Sequence, residues 1–162
     1  MNPDSPTTIY AMAGPMGSGK TTLALKIASK HKALFQTLDG TIKAFNEPIE
    51  DLKGYESLMP KALDLMFSKA LEALQSGQSV VFDVGRWPWL MQLADAADSK
   101  IEIYNFQISA EERWRRVQKC NNEKPKGVFH WTMSKAEFDT NANLKRSLPP
   151  AMPGLKIITI FE

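Results

Sequence analysis

Gly14-Pro15-Met16-Gly17-Ser18-Gly19-Lys20-Thr21 is the stretch on which the reading of this chain turns. The eight residues fit G-x-x-x-x-G-K-[ST], the phosphate-binding P-loop. Before them runs Thr7-Thr8-Ile9-Tyr10-Ala11-Met12-Ala13, a β-branched and apolar stretch bounded by Pro6 and Gly14. After them comes Thr22-Leu23-Ala24-Leu25-Lys26-Ile27-Ala28, with apolar residues at helical spacing. Strand, glycine loop and helix in that order form the context that turns a pattern into a site. Glycine lets the backbone wrap a polyphosphate, because a Cβ would clash or forbid positive φ. Successive N–H groups and the helix N-terminus then point at the anion. The plain alternative is a strand–helix turn that happens to be rich in glycine. At ordinary glycine usage, such a match arises by chance in roughly one chain per hundred of this size, and the flanking elements make it rarer. Residues Gly14, Pro15, Met16, Gly17, Ser18, Gly19, Lys20, Thr21 and Thr22 are therefore assigned to a nucleotide polyphosphate. Lys20 would reach its β- and γ-phosphates, and the Thr21 hydroxyl would ligate Mg²⁺.

On either side of the loop the chain alternates strand and helix, the pattern of a parallel sheet covered on both faces. Ala33–Leu38 is a second strand candidate, ending at Asp39-Gly40. Leu58, Ala62, Leu65, Met66, Lys69, Leu71 and Leu74 keep helical spacing, with Gly77 as the stop. Ser79–Asp83 reads as a buried strand with an acidic end. Pro88–Ala97 reads as a helix with proline in its first turn. Ile101–Ile108 alternates with period two, and Ser109 is placed to cap a helix from Ala110 to about Cys120. Asn121–His130 is polar and expected to be mobile. Ser134-Lys135-Ala136-Glu137 resembles a capping box for one more helix, and Leu155–Phe161 is a final strand. The expected fold is α/β, a P-loop NTPase fold with about five parallel strands and helices on both faces. The chain is expected to be a single domain over 1–162, with 1–7 a flexible N-terminus and about 110–130 a lid.

With 162 residues, the chain is long enough for one hydrophobic core. A net charge of +2 does not announce a nucleic-acid binder, yet leaves room for a local basic groove. One cysteine, Cys120, cannot form an intramolecular disulfide and suits a reducing compartment. No stretch is apolar for the length needed to span a bilayer. A cytoplasmic protein without a membrane partner is expected.

P-loop chemistry also needs a held metal, a proton acceptor and cations for the transferring phosphoryl group. Asp83 closes the apolar run Val80-Val81-Phe82. It should lie at the carboxyl edge of the sheet, where open α/β folds place ligands. There it could organise Mg²⁺, or simply solvate a strand end. Asp39 also follows a strand, and Lys43 lies four residues later. The pair could bring a carboxylate and a cation over the cleft, or Asp39-Gly40 could be no more than a turn. Spacing alone leaves both readings open.

The order GPMGSGKT, LDGTIK, SVVFD, ISAEERWRRVQKC resembles the P-loop kinase branch that contains phage-type polynucleotide 5′-hydroxyl kinases and zeta toxins. The resemblance spans roughly residues 8 to 138. It implies an ATP-dependent phosphotransferase acting on a hydroxyl acceptor, either a polynucleotide 5′-hydroxyl or a small metabolite. It implies Asp39 as the general base. It also implies Lys43 as a basic residue for acceptor or phosphate, at a position where this branch usually carries arginine. The branch further shows R-x-x-x-R leading into a lid. Arg116 matches the first arginine and assists catalysis, while Cys120 stands in place of the second. Lys119, Lys124 or Arg115 could replace the missing cation. Cys120 itself is expected to be a small buried residue. On sequence alone, Arg113, Arg115, Arg116 and Lys119 also fit a solvated charged face, with Glu112 paired to Arg116.

Arg86-Trp87-Pro88-Trp89 follows Asp83 and should emerge near the same edge. Arg86 and the tryptophans could receive an acceptor ring, or at least one tryptophan could pack into the core. Glu47, Glu50, Asp51, Asp95, Asp98 and Glu111 read as solvated surface charges. The opposing expectation is a nucleotide-dependent binding or regulatory module with little catalysis, motivated by Cys120 and Lys43.

Overall fold

The computed structural model describes residues 6–15, 17–83, 86–123, 133–142 and 148–161. Strands β1 (Thr8–Ala13), β2 (Leu34–Gln36), β3 (Val80–Phe82), β4 (Lys100–Gln107) and β5 (Leu155–Phe161) form one sheet in the order β2-β3-β1-β4-β5. Every neighbouring pair is parallel. Because each strand alternates its side chains, the two faces bury different sets. Ile9, Ala11, Val80, Phe82, Ile101 and Ile103 face one way. They meet helices α2 (Leu38–Ala44), α3 (Leu52–Gln75) and α4 (Trp87–Ala97) through Ile42, Met66, Leu90 and Leu93. Tyr10, Met12, Val81 and Phe106 face the other way and meet Ala24 and Ile27 of α1 (Lys20–His31). The α/β fold with five parallel strands and helices on both faces is thus present. Helices α5 (Ala110–Glu123) and α6 (Lys135–Ala142) complete the described elements.

Most element boundaries fall where the residue pattern puts them. Gly77 does end α3: the helix stops at Gln75 and Gly77 takes φ 90°. Ser109 Oγ accepts from Glu112 N at 3.2 Å. Ser134 and Glu137 form the reciprocal capping box, at 2.8 and 3.1 Å. The start of α3 lies six residues earlier than Leu58, at Leu52. Asp51 Oδ1 caps it by accepting from Gly54 N at 2.8 Å, so Asp51, exposed as expected, is also a helix cap. Pro60 lies inside α3, where it leaves out one helical hydrogen bond. Packing by Leu58 and Met59 before it and by Leu63 and Phe67 after it holds the turns on either side against the core.

The second strand is shorter than read, because α2 begins at Leu38. Helix α5 runs to Glu123, past the expected end near Cys120. Its Asn121 exchanges two hydrogen bonds with Met133, at 2.9 and 3.2 Å, which tie its last turn to the approach to α6. The expected flexible start and the distal half of the expected lid, with Lys124 and His130, lie mainly outside the described residues.

Candidate active site

The loop after β1 closes on itself before it meets any ligand. Ser18 is buried and its hydroxyl donates to Pro15 O at 2.6 Å, so a phosphate there would meet its backbone rather than its hydroxyl. Lys20 Nζ donates to Gly14 O at 2.9 Å, folding the ammonium over the loop. Gly17 takes φ 82°, and a Cβ on it would lie 2.5 Å from the Arg113 carbonyl oxygen. The first turn of α5 therefore rests directly on the loop, an approach only glycine allows. Gly19, at φ 90°, is the N-cap of α1, whose first turn carries Lys20, Thr21 and Thr22 and no acidic residue. Thr21 and Thr22 are exposed, and Met16 lies outside the described residues. A helix start with open threonines and a folded-back lysine fits a polyphosphate.

Asp83 follows β3 and is half-buried. Its Oδ1 accepts from Leu38 N at 3.1 Å, at the first turn of α2. Burial pushes its carboxyl up to about 6; the Leu38 hydrogen bond opposes this, the Asp39 charge adds to it, and Lys20 opposes it. A carboxylate so poorly solvated gains by meeting a cation. Among the described residues no three His, Cys, Asp or Glu side chains gather for a metal. Magnesium in phosphoryl transfer needs none, since one or two protein oxygens suffice beside phosphates and water. Thr21 and Asp83 fit that role.

Asp39 lies in the first turn of α2, which Thr37 caps by accepting from Gly40 N at 2.9 Å. A carboxylate there is favoured by the helix dipole. The Tyr55 hydroxyl on α3 donates to Asp39 Oδ1. Burial first, then the Asp39 charge, hold that phenol far above its ordinary range. Lys43 is exposed on the last turn of α2, and no Asp39–Lys43 ion pair forms among the described residues. Arg86 is exposed ahead of α4, near enough for its charge to act on Tyr55. Trp89 packs edge-on against Phe82 and Phe67, with centroids 5.0 and 5.9 Å apart. Its ring therefore belongs to the core, while Trp87 is half-buried on the first turn of α4.

Arg116 reaches the loop: its Nη1 donates to Gly17 O at 3.3 Å and its Nε to Glu112 at 2.9 Å. Glu112 also takes two hydrogen bonds from Arg115, at 2.8 and 2.6 Å. Arg115 and then Arg116 hold its carboxyl down at about 2. Arg115 thus points into this surface pair rather than at the phosphates. Cys120 is exposed, not buried: it shares the side of α5 that carries Arg113 and Val117, but burial along that side stops at Val117, one turn earlier. The sequence reading missed Tyr55 and took Arg113, which is buried, for part of a solvated face. Tyr55 carries no motif around it. Arg113 had a signal, its spacing of four from Val117, which puts both on the inner face. It is buried, donates from Nε to Ile108 O at 3.1 Å and lies over the Phe138 ring.

Residues 9–138 match the family described as AAA domain. The chain belongs to this family. Its AAA domain is a P-loop kinase-like domain. Solved structures similar to it include a candidate kinase from Chloroflexus aurantiacus J-10-fl, with TM-score 0.80 and 19% identity over 98% of this chain and 89% of that one. A gluconokinase from Sinorhizobium meliloti 1021 gives TM-score 0.59 and 16% identity, over 96% of this chain and 82% of that one. A chain of the Pnkp1/Rnl/Hen1 RNA repair complex gives TM-score 0.63 and 17% identity, over 84% of this chain and 43% of that one. At such identities the likeness is one of fold. No curated protein matches the chain. Among the described residues, no helix is long and apolar enough to cross a membrane.

Proposed function

We propose that this AAA domain is an ATP- and Mg²⁺-dependent kinase that moves the γ-phosphoryl group to a hydroxyl acceptor, within the branch of polynucleotide 5′-hydroxyl kinases and zeta toxins. The acceptor would be a polynucleotide 5′-hydroxyl or a small hydroxyl-bearing metabolite, and the setting a reducing cytoplasm. The observation that carries the reading is the carboxylate of Asp39, tied down by Tyr55. Asp39 directly follows Leu38, whose amide donates to Asp83, and the Lys20 charge acts on that same Asp83.

Residues from Gly14 to Thr22 bind the triphosphate, all but Pro15 through backbone N–H groups, and Lys20 exchanges its Gly14 bond for the β- and γ-oxygens. Thr21 and Asp83 would hold the magnesium, which would supply neutralisation of phosphate charge. Asp39 accepts the proton as the acceptor oxygen attacks phosphorus and the bond to the ADP oxygen breaks. Arg116, already at the loop, stabilises charge on the moving group. Lys43 and Arg86 border the acceptor side. Catalysis is then chiefly positioning and charge stabilisation.

A radiolabelled γ-phosphate transfer screen, with 5′-hydroxyl oligonucleotides and small hydroxyl compounds in parallel, tests this. Transfer to one class is expected. Asp39→Asn should cut it by about 10² to 10⁴ with ATP affinity unchanged. Full turnover in that variant would remove Asp39 as the base. A steep salt dependence of oligonucleotide binding would favour the nucleic-acid acceptor. The exposed Cys120, where the branch carries a lid arginine, favours a second reading: a nucleotide-dependent binding or regulatory module. ATP-dependent capture of a macromolecule, with no transfer to any acceptor, would select it.

A further inference from the structure

Both ends of the Tyr55–Asp39 hydrogen bond hang from capped helix starts. Asp39 sits in the turn capped by Thr37, whose first amide is held by Asp83. Tyr55 sits in the turn capped by Asp51, and its own N–H donates to Asp51 O at 3.2 Å. Neither backbone can drift without breaking a cap, so the two side chains meet at a fixed angle. The Tyr55 hydroxyl faces Asp39 from α2, Asp83 from the end of β3 and Arg86 from the approach to α4. Lys20 of α1 acts on the same cluster through Asp83. Burial and two nearby carboxylates keep the phenol protonated, so it can only donate to Asp39.

A donor fixed on one carboxylate oxygen stops the group from spinning about its Cβ–Cγ bond. The other oxygen then keeps one direction. We infer that Tyr55 is the positioning residue for the base: its hydroxyl, delivered by α3, holds one oxygen of Asp39 so that the other faces the acceptor. The inference rests on reading Asp39 as the base. Its rival is a plain tie between α2 and α3, in which the ring packs and the hydroxyl does nothing for transfer.

A double-mutant cycle separates the two. The acceptor is the hydroxyl compound labelled in the transfer screen, and the chains are wild type, Tyr55→Phe, Asp39→Asn and the double variant. Tyr55→Phe is expected to lower kcat about ten- to a hundredfold, the scale of a misplaced catalytic group, while KM for ATP stays unchanged. In the Asp39→Asn background the same change should do nothing, because the group it orients is gone. An equal loss in both backgrounds, or no loss in wild type, overturns the inference. Transfer undiminished by Asp39→Asn overturns the base assignment itself, a distinct outcome. A second readout needs no acceptor and no loss of the ring: 3-fluorotyrosine placed at position 55 alone and followed by ¹⁹F NMR. Its resonance should move on Asp39→Asn, and a resonance that does not move also overturns the inference.

Discussion

At the scale of single residues, the site is built from carboxylates in unequal surroundings. Asp83 is half-buried and held up to about 6, with burial the first cause. A carboxyl whose folded value exceeds its ordinary 3.8 binds its proton more tightly when folded. Its contribution to stability is complete below about 3.8 and is lost as pH rises through about 6. The nucleotide- and metal-free protein at pH 8 thus carries an ill-solvated charge. Asp83→Asn keeps an oxygen for Leu38 N and removes that charge. It is expected to raise stability by about 1–2 kcal/mol at pH 8, with the gain fading below pH 4. Urea unfolding at the two pH values measures this, and equal effects at both would refute it. The strand-end position of Asp83 was legible from the run Val80-Val81-Phe82, because a buried strand needs apolar side chains on both faces. The partner of Asp39 was not legible. Tyr55 sits sixteen residues away on another helix, and no local pattern announces a contact made by tertiary packing.

At the scale of elements, the P-loop and α5 act as one piece. Sequence showed the loop, because its motif is local, and the arginines of α5, because they are charged. It gave no sign that α5 lies on the loop with Gly17 against the Arg113 carbonyl. The start of α3 was hidden for a similar reason. Periodicity is read from apolar residues, whereas Asp51 and Gly54 open this helix by a side-chain cap. The α5 contact can be tested with a matched pair of glycines. Gly17 and Gly154 have nearly the same φ, 82° and 79°, but a Cβ on Gly154 meets nothing within 4 Å. Alanine at either should cost about 1–2 kcal/mol for the left-handed backbone. Only Gly17→Ala should also displace α5, carry Arg116 off Gly17 O and weaken ATP binding tenfold or more. Calorimetric titration with ATP·Mg²⁺ measures both variants, and equal affinities would show that the contact is dispensable for the nucleotide.

For the molecule as a whole, the strand order β2-β3-β1-β4-β5 assembles the site. It sets the ends of β1, β3 and β2 side by side, so the P-loop, Asp83 and Asp39 converge from segments far apart in the chain. Local patterning showed that the sheet is parallel, but parallel strands look alike in sequence and their order is a property of the folded set. The family resemblance, not periodicity, singled out Asp39. One consequence is global. A nucleotide on Lys20 and the loop would bridge β1, α1 and α5, and through Asp83 the start of α2, so binding should oppose unfolding of the described sheet as a unit. At a hundred times Kd, a ligand confined to the folded state adds about 2.7 kcal/mol. For a domain of this size that raises Tm by about 5–10 °C. Thermal scans with ATP·Mg²⁺ should show this rise for wild type and for Asp39→Asn, whose base lies outside the phosphate cradle. Lys20→Ala should abolish most of it. An equal rise in Lys20→Ala would mean that the nucleotide is held elsewhere, and the P-loop assignment would fall with it.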